Sequence, residues 1–366
     1  MVRAVSPRKP TIRDVAEAAG VSVTTVSHAL NDVETARVKD STRRRIQATA
    51  QRMGYSPNGL ARGLRRQRSQ TLALLSDRIV TTPYAGQIIL GAQEKAAELG
   101  WVLTLYSSGD DRDVERREIR TLLEHQVDGV LYGAYYHREV EVPRQLSGIG
   151  VPVVLVDCTS SDPSFASVVP DEYGAARTAV QELLDHGHRR IGFVTNLDDI
   201  PATRLRLKGY RDALSEAGVE FDPDLVAQDI SETVGGYRAG LRLLTQQQRP
   251  TGIFSFNDRM AMGIYRATQE LGITIPTELS VVSVDNQEIL AEGLYPGLTT
   301  MALPHYAMGA WSVAHLIGRL QAGEDSGRRG AEEHVVLPCP LVRRHSVAAP
   351  PIAGADAPRR RHQRHG

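Results

Sequence analysis

The sequence has very few cysteines and no long apolar run. Its 366 residues include only two cysteines, Cys158 and Cys339, far apart in the chain. This number excludes a disulfide framework and a four-cysteine zinc site. No apolar run approaches the roughly 18 residues that a membrane span needs, and no apolar stretch follows the basic N-terminus as in a secretory signal. We therefore expect a cytoplasmic protein without membrane contact.

Motifs for nucleotide binding and catalysis are also missing. The sequence contains no G-x-x-x-x-G-K-[ST] loop, no G-x-G-x-x-G turn and no H-E-x-x-H zinc motif. The adjacent carboxylates of Asp198 and Asp199 are most simply solvated loop residues, and His186 and His188 most simply mark the end of a helix. The sequence accordingly predicts no cofactor, no metal site and no enzyme activity.

The formal net charge of +0 hides a strong asymmetry along the chain. Residues 1–70 carry 14 Lys and Arg against 5 Asp and Glu, whereas the remaining residues carry 29 against 38. A short basic head on an acidic body indicates that the head meets a polyanion, although a solvated basic tail would give the same balance.

Three short helices are predicted in this basic head. The first, 12–19, begins at a capping box formed by Thr11 and Asp14. The second is predicted at 23–30 and the third at 41–53. Two short helices joined by about three residues that include a glycine fit a helix-turn-helix, although a plain three-helix bundle would show the same apolar spacing.

In a helix-turn-helix the start of the second helix reads base edges in the major groove of DNA. The residues there that would reach base edges are Val23, Thr24 and His28, flanked by Ser22, Thr25 and Ser27. Their hydroxyls can bond phosphates or bases, their methyl groups can contact thymine, and the imidazole can donate to a purine acceptor. The head is therefore predicted to bind double-stranded DNA.

The rest of the chain alternates apolar strands with helical patterns. Strands are predicted at 72–75, 102–105, 129–132, 153–156, 191–194, 253–256 and 281–284. Helices are predicted at 86–99, 114–124, 173–185, 205–217, 235–245 and 259–271. This alternation is typical of doubly wound parallel sheets with helices on both faces, and the length indicates two such lobes. The fold class predicted is a small all-α head on an α/β body.

Several short segments of the head and the body together form a recognisable pattern. In the head they are Thr11-Ile12-Arg13-Asp14-Val15-Ala16, Ala19-Gly20-Val21-Ser22, Thr25-Val26-Ser27, Asn31 and Gly54-Tyr55-Ser56-Pro57-Asn58. In the body they include Arg206-Leu207-Lys208-Gly209-Tyr210 and Phe256-Asn257-Asp258. This pattern resembles the LacI/GalR family of bacterial transcription regulators over about residues 10–346.

The resemblance implies the domain plan and the DNA contacts. It implies a helix-turn-helix domain at 10–56, a hinge helix and linker at 57–69, and a two-lobed effector-binding and dimerisation domain at 70–346. Residues 347–366, rich in Pro, Ala and Arg, are predicted to be a disordered tail. Leu64 would wedge between base pairs in the minor groove. The other residues that the resemblance adds to the DNA-binding set are Thr11, Asn31, Tyr55, Asn58, Ala61 and Arg62.

The body implied by the resemblance is similar to periplasmic sugar-binding proteins, with the ligand between two lobes. The predicted effector contacts are Tyr84, Asp157, Tyr173, Arg206, Asn257 and Asp285. Three of them follow predicted strands, where doubly wound sheets bind ligands. Asp, Asn and Arg suit neighbouring sugar hydroxyls, and a tyrosine offers an aromatic face. Simpler structural roles, such as helix caps and turns, remain open for these residues.

Together these observations predict a sequence-specific repressor that binds a pseudo-palindromic operator as a homodimer. A small-molecule effector, a sugar or sugar derivative, would control its affinity for DNA. A transport-type binding protein would need a signal peptide and no basic head, and an enzyme with a borrowed head would need a catalytic constellation. The Pro/Arg-rich end without heptads favours a dimer over a tetramer.

Overall fold

The computed structural model describes residues 10–30, 38–55, 68–82, 85–147, 150–322 and 333–351. The chain divides between Gln70 and Thr71 into two compact units, which we call the head and the body.

The described part of the head contains three helices, α1 (Ile12–Ala19), α2 (Val23–Leu30) and α3 (Asp40–Arg52). Each lies within one residue of its predicted bounds. Their apolar faces meet in a small core that consists of Val15, Ala16, Ala19, Val26, Ala29, Ile46 and Ala50. Four of these seven residues are alanines, so the helices pack closely around little apolar volume.

The ends of α1 are fixed by the capping residues that the sequence predicts. The Thr11 hydroxyl accepts from the Asp14 amide at 3.4 Å, and the Asp14 carboxylate accepts from the Thr11 amide at 2.6 Å. Gly20 ends the helix with φ of 63°, in the left-handed region that favours glycine. The Thr11 and Asp14 amides at the start of the helix and the Ala16 and Glu17 carbonyls at its end gain hydrogen-bond partners in this way.

The described strands of the body are β1 (Thr71–Ser76), β2 (Val102–Ser107), β3 (Gly129–Glu139), β4 (Val153–Thr159), β5 (Ala166–Pro170), β6 (Ile191–Asn196), β7 (Val226–Asp229), β8 (Gly252–Ser255), β9 (Ser280–Asp285), β10 (Thr299–Ala302), β11 (His334–Leu337) and β12 (Leu341–Val342). Its described helices are α4 (Gly86–Glu98), α5 (Arg112–Glu124), α6 (Arg144–Ser147), α7 (Glu172–Asp185), α8 (Pro201–Glu216), α9 (Thr233–Leu244), α10 (Asp258–Leu271), α11 (Glu288–Gly293) and α12 (His305–Ala322).

These strands form two six-stranded sheets with equivalent strand orders. Lobe 1 is built on the sheet β11-β5-β4-β3-β1-β2 and lobe 2 on the sheet β12-β10-β9-β8-β6-β7. All pairs are parallel except β10 with β12. The chain passes from lobe 1 to lobe 2 after β5, returns after β10 and crosses again after β11. The predicted pair of doubly wound, mainly parallel lobes is confirmed.

Strand β1 shows why the body strands are continuously apolar. Leu72 and Leu74 pack into a cluster with α4 and α12 on one face of the sheet, whereas Ala73 and Leu75 pack with α5 on the other. Successive side chains of a strand point to opposite faces. A parallel sheet with helices on both faces therefore buries every residue of such a strand.

Five strands and three helices of the body were not predicted. The missed strands are β5, β7, β10, β11 and β12, which are short or lie at a sheet edge. The longest missed helix is α12, which contains glycines that lower helix propensity. Gly309 is needed there because a Cβ atom would lie 2.0 Å from the Ile88 carbonyl oxygen of α4. The close packing of α12 against α4 thus requires a glycine, and that glycine weakens the helical pattern of α12 in the sequence.

The predicted disordered tail begins too early. Residues 347–351 are described, and the Ala348 backbone is bound on both sides to lobe 2. Its amide donates to Ser280 Oγ at 3.0 Å, and its carbonyl accepts from the same hydroxyl at 3.0 Å. His188 Nε2 lies 2.9 Å from that carbonyl. The prediction is wrong for these residues because hydrogen bonds to distant residues of lobe 2 hold them. Residues 352–366 lie outside the described residues.

Candidate functional site

The start of α2 presents a polar surface on the head. Ser22, Val23 and Thr24 are exposed, with Val23 at 40% exposure. Ser22 Oγ accepts from the Thr25 amide at 3.1 Å and lies 2.8 Å from Thr25 Oγ1, which fixes the first turn of the helix. Ser27 and Thr25 are half-buried. The structure thus places Ser22, Val23 and Thr24 together at the start of α2, whereas His28 lies in its last turn.

Other predicted DNA-binding residues have structural roles in the head or are not described. Thr11 caps α1 through both its amide and its hydroxyl. Tyr55 packs against the head core, and burial raises the pKa of its hydroxyl. His28 is half-buried in the last turn of α2. The predictions that fall outside the described residues are Asn31, Asn58, Ala61, Arg62, Leu64 and the hinge segment that contains the last four.

In the body, a buried ion pair lies where strand ends of lobe 2 meet α7 and α8. Arg206 Nε donates to Glu172 Oε2 at 2.6 Å, and their side chains are 3% and 2% exposed. Arg206 Nη1 donates to the Phe256 carbonyl, and the guanidinium lies 4.3 Å above the Phe256 ring. Glu172 was not predicted, because it is 34 residues from Arg206 and only the fold joins them.

Asp157 supplies a buried carboxyl group with spare hydrogen-bonding capacity. It lies within β4 with φ of 57°, and among the described atoms its Oδ1 has no hydrogen-bond partner. Burial raises the pKa of Asp157 well above its ordinary value; the negative charge of Glu172 adds to the increase, and Arg206 opposes it. A polar ligand that donates a hydrogen bond would relieve this unfavourable state.

Asn257 and Asp285 lie at neighbouring strand ends. Asn257 caps α10, since its Oδ1 accepts from the Met260 amide at 2.8 Å, and its Nδ2 donates to the Ser231 carbonyl at 3.1 Å. Asp285 Oδ2 accepts from Gln287 at 2.9 Å. Burial raises the pKa of Asp285, whereas the charge of Arg259 lowers it. Asn257 is thus already committed to a cap, and Asp285 faces a cation.

Of the two predicted aromatic contacts, the one that the structure describes, Tyr173, does not belong to this buried group. The Tyr173 hydroxyl donates to Asp212 at 3.0 Å, and Lys208 lies 4.5 Å from the centre of its ring. Both partners are on α8, and Lys208 is exposed. Tyr84 lies outside the described residues.

A bulge in β3 brings unpredicted side chains to the same place. Strand β3 pairs Gly133 with Val156 and Arg138 with Cys158, so residues 134–137 oppose Asp157 alone. We call residues 134–137 the bulge. Strand β3 was predicted to end at 132, but it has 11 residues, whereas its counterpart β8 has 4. Bulges commonly redirect side chains beside functional sites.

The bulge contributes an aromatic and an imidazole. The Tyr136 hydroxyl lies 2.8 Å from Ser231 Oγ and accepts from Arg259 Nη2 at 2.5 Å. His137 is 6% exposed, its Nδ1 has no partner among the described atoms, and burial lowers its pKa. The adjacent pair Tyr135-Tyr136, which begins three residues after the end of a predicted strand, was the available sequence signal for these residues.

A polar pocket of about 460 Å³ opens in lobe 1 at the ends of β1, β2 and β3. Asp77 and Arg138 line it and form an ion pair of 2.5 Å. Within the described residues, no group of three or more His, Cys, Asp or Glu side chains is placed to hold a metal ion. In the same part of the chain, no helix combines the length and apolarity required to cross a membrane.

Comparisons with known proteins match both units. Residues 11–58 match a family model described as bacterial regulatory proteins, lacI family, and residues 180–347 match a periplasmic binding protein-like domain. The transcriptional regulator DegA of Bacillus subtilis is 33% identical over 342 residues, which cover 93% of this chain and 98% of that protein. These matches confirm the resemblance seen in the sequence.

Solved structures match the described fold. A complex of the transcriptional regulator CelR with cellobiose aligns with a TM-score of 0.67 at 29% identity, over 92% of this chain and 99% of that chain. The lac repressor dimer bound to operator and the anti-inducer ONPF aligns with a TM-score of 0.77 at 24% identity, over 93% of this chain and 100% of that chain. The second likeness concerns the fold alone.

Proposed function

We propose, from the premise that the chain belongs to the LacI family of bacterial regulatory proteins, that it is a repressor whose operator binding is controlled by a sugar between its two lobes. The chain has a DNA-binding domain and an effector-binding domain, and it is a regulator rather than an enzyme. The repressor role, the sugar and the homodimer are the proposed parts.

The exposed start of α2 supports operator reading by the head. Val23 and Thr24 project from the first turn of the helix, where a recognition helix contacts base edges. Ser22 and Thr25 are bonded to each other, so we assign them to phosphate contacts and to fixing the turn. Arg44 and Arg45 on α3 are exposed and provide cations for the backbone.

The buried carboxyl of Asp157 is the observation that carries the sugar proposal. Its unsatisfied oxygen lies with the Arg206–Glu172 pair, and these groups influence one another electrostatically. Adjacent hydroxyls of a neutral sugar can donate to the carboxylate and accept from a guanidinium. The complex of CelR with cellobiose provides an independent reason to test sugars first.

We place the homodimer contact on exposed apolar residues of both lobes. Leu90, Val102 and Leu105 of lobe 1 are 41%, 60% and 43% exposed. Ile289 and Tyr295 of lobe 2 are 88% and 95% exposed. A two-fold axis would bury these side chains against their copies. Tyr295→Asp should therefore shift the protein from dimer to monomer in light scattering, and a dimer of unchanged affinity would contradict this placement.

The first experiment is selection of bound sites from a random duplex library at a stated salt concentration. A dimeric reader should enrich a palindrome of roughly 14–20 base pairs. Thr24→Ala should relax one position in each half-site, whereas Arg44→Ala should weaken all sequences alike. No enrichment, with or without a mixture of sugars, would contradict operator reading.

The second experiment tests the sugar. Thermal unfolding of the wild-type protein is measured against a panel of neutral mono- and disaccharides, and a sugar that raises the transition temperature is then tested for its effect on operator binding. Asp157→Asn should retain operator binding but lose most of the stabilisation by that sugar. An equal response of the two proteins would remove Asp157 from the site.

A further inference from the structure

The bulge of lobe 1 packs into lobe 2. Tyr136 belongs to β3 of the first sheet, yet its side chain packs against the hydrophobic core of lobe 2. Its ring centroid lies 6.4 Å from that of Phe256 in an edge-on arrangement. Arg206 covers the same Phe256 ring. One aromatic ring therefore joins the bulge to the buried ion pair.

The Tyr136 hydroxyl is hydrogen-bonded to polar side chains of lobe 2. It accepts from Arg259 Nη2 at 2.5 Å and lies 2.8 Å from Ser231 Oγ. Arg259 Nη2 also donates to the Ser231 carbonyl at 3.2 Å, and its guanidinium lies 4.0 Å from Asp285. Arg259, Ser231 and Asp285 all belong to lobe 2, which makes the contact of the Tyr136 hydroxyl a link between the lobes.

The register of β3 explains how the chain achieves this reach. Four residues, 134–137, oppose the single residue Asp157, so the extra length leaves the ladder instead of lengthening the sheet. The ladder resumes at Arg138, which pairs with Cys158. Both ends of the bulge are thus anchored in lobe 1, and the side chain between them is delivered to lobe 2 in a defined position.

We propose that Tyr136 is an internal competitor of the effector, which links the lobes through Arg259 and Ser231 until a ligand hydroxyl replaces its own. The proposal rests on the effector site of the proposed function. A ligand that must displace Tyr136 binds only to the fraction of molecules in which the link is open, which weakens its apparent affinity by that fraction. Ligands without a hydroxyl for Arg259 would leave the link in place.

The link is tested without any ligand by measuring the distance between the lobes. Nitroxide labels at Ser161→Cys in lobe 1 and Leu197→Cys in lobe 2 occupy exposed positions that follow β4 and β6. Cys339→Ser removes the half-buried native thiol, and Cys158 is fully buried. Distances are measured by pulsed electron paramagnetic resonance on the full chain.

Three variants separate the contributions of Tyr136. Tyr136→Ala should add a population with longer distances, and Tyr136→Phe, which keeps the ring but not the hydroxyl, should give a smaller one. The matched control is Tyr237→Phe, which removes a hydroxyl bonded to Glu270 at 2.6 Å within lobe 2. The control should match the wild-type distances. Unchanged distances in both Tyr136 variants would overturn the proposal.

Affinity gives the second readout. For a sugar found with the wild-type protein, Tyr136→Ala should lower the dissociation constant by about tenfold, because no link has to be broken. A weaker affinity would overturn the proposal and make Tyr136 a direct ligand contact. If no sugar binds the wild-type protein, the proposed sugar effector fails, and the distances between the lobes still decide whether Tyr136 links them.

Discussion

The head and the body use polar side chains in opposite ways. The head exposes Ser22 and Thr24 at the start of α2, whereas the body buries Arg206 and Glu172 at 3% and 2% exposure. In the proposed function, DNA is bound at this open surface, so the residues that would contact it stay hydrated in the free protein. The proposed effector would be enclosed between the lobes, and the groups that would bind it are already desolvated in the free protein. Substitution of the buried polar residues of the body should therefore lower the free energy of unfolding, whereas substitution of the exposed residues at the start of α2 should not.

The largest effect is expected for Arg206→Ala. Removing the cation leaves Glu172 buried without its partner, which should lower the free energy of unfolding by about 3–5 kcal/mol. Denaturant unfolding followed by circular dichroism measures this loss. Arg204→Ala, two residues away in an exposed pair with Asp199, should change it by less than about 1 kcal/mol. Similar losses of unfolding free energy in Arg206→Ala and Arg204→Ala would contradict the contrast between buried and exposed polar groups.

An opposite and smaller effect is expected for Asp157→Asn. The pKa of the buried carboxyl is raised, so the unfolded chain ionises first as the pH rises above the ordinary value of 3.8. Wild-type stability should therefore fall with rising pH relative to the variant. The variant should gain about 1–3 kcal/mol at pH 8 and nothing near pH 3.8. A gain that is independent of pH would show that ionisation of Asp157 is not its cause.

The smallest effect is expected in the head, for Thr11→Ala. Loss of the capping hydroxyl should cost about 1 kcal/mol, which corresponds to about fivefold faster amide hydrogen exchange in α1. Thr11→Ser keeps the hydroxyl and should exchange like the wild type. Thr24→Ala on the recognition face should leave exchange unchanged. If Thr11→Ala changes operator affinity but not exchange, Thr11 acts as a DNA contact instead of a cap.

The head was predictable because its signals are local. The capping residues of α1 lie three positions apart, and the glycine that ends the helix follows directly. Strand β1 was predictable because helices cover both faces of its sheet, which requires a continuous apolar run. The edge strand β11 pairs on one side only and carries exposed His334 and Val336, so its pattern is weak.

The centre of the body was only partly predictable. Asp157, Arg206, Asn257 and Asp285 were proposed from family positions, whereas Glu172 and the bulge became visible only in the structure. A bulge forms where one strand supplies more residues than its partner. The periodicity of a single segment does not show how many residues the partner strand supplies. The link of Tyr136 to Arg259 joins positions 123 residues apart.

The three passages of the chain between the lobes have a consequence for biosynthesis. Strand β11 completes the sheet of lobe 1 and β12 that of lobe 2, and both lie within residues 334–342. Neither lobe can acquire its last strand until residues 334–342 have left the ribosome, whereas the three described helices of the head emerge first. The DNA-binding domain can therefore fold early in translation, whereas the effector-binding domain can be completed only late.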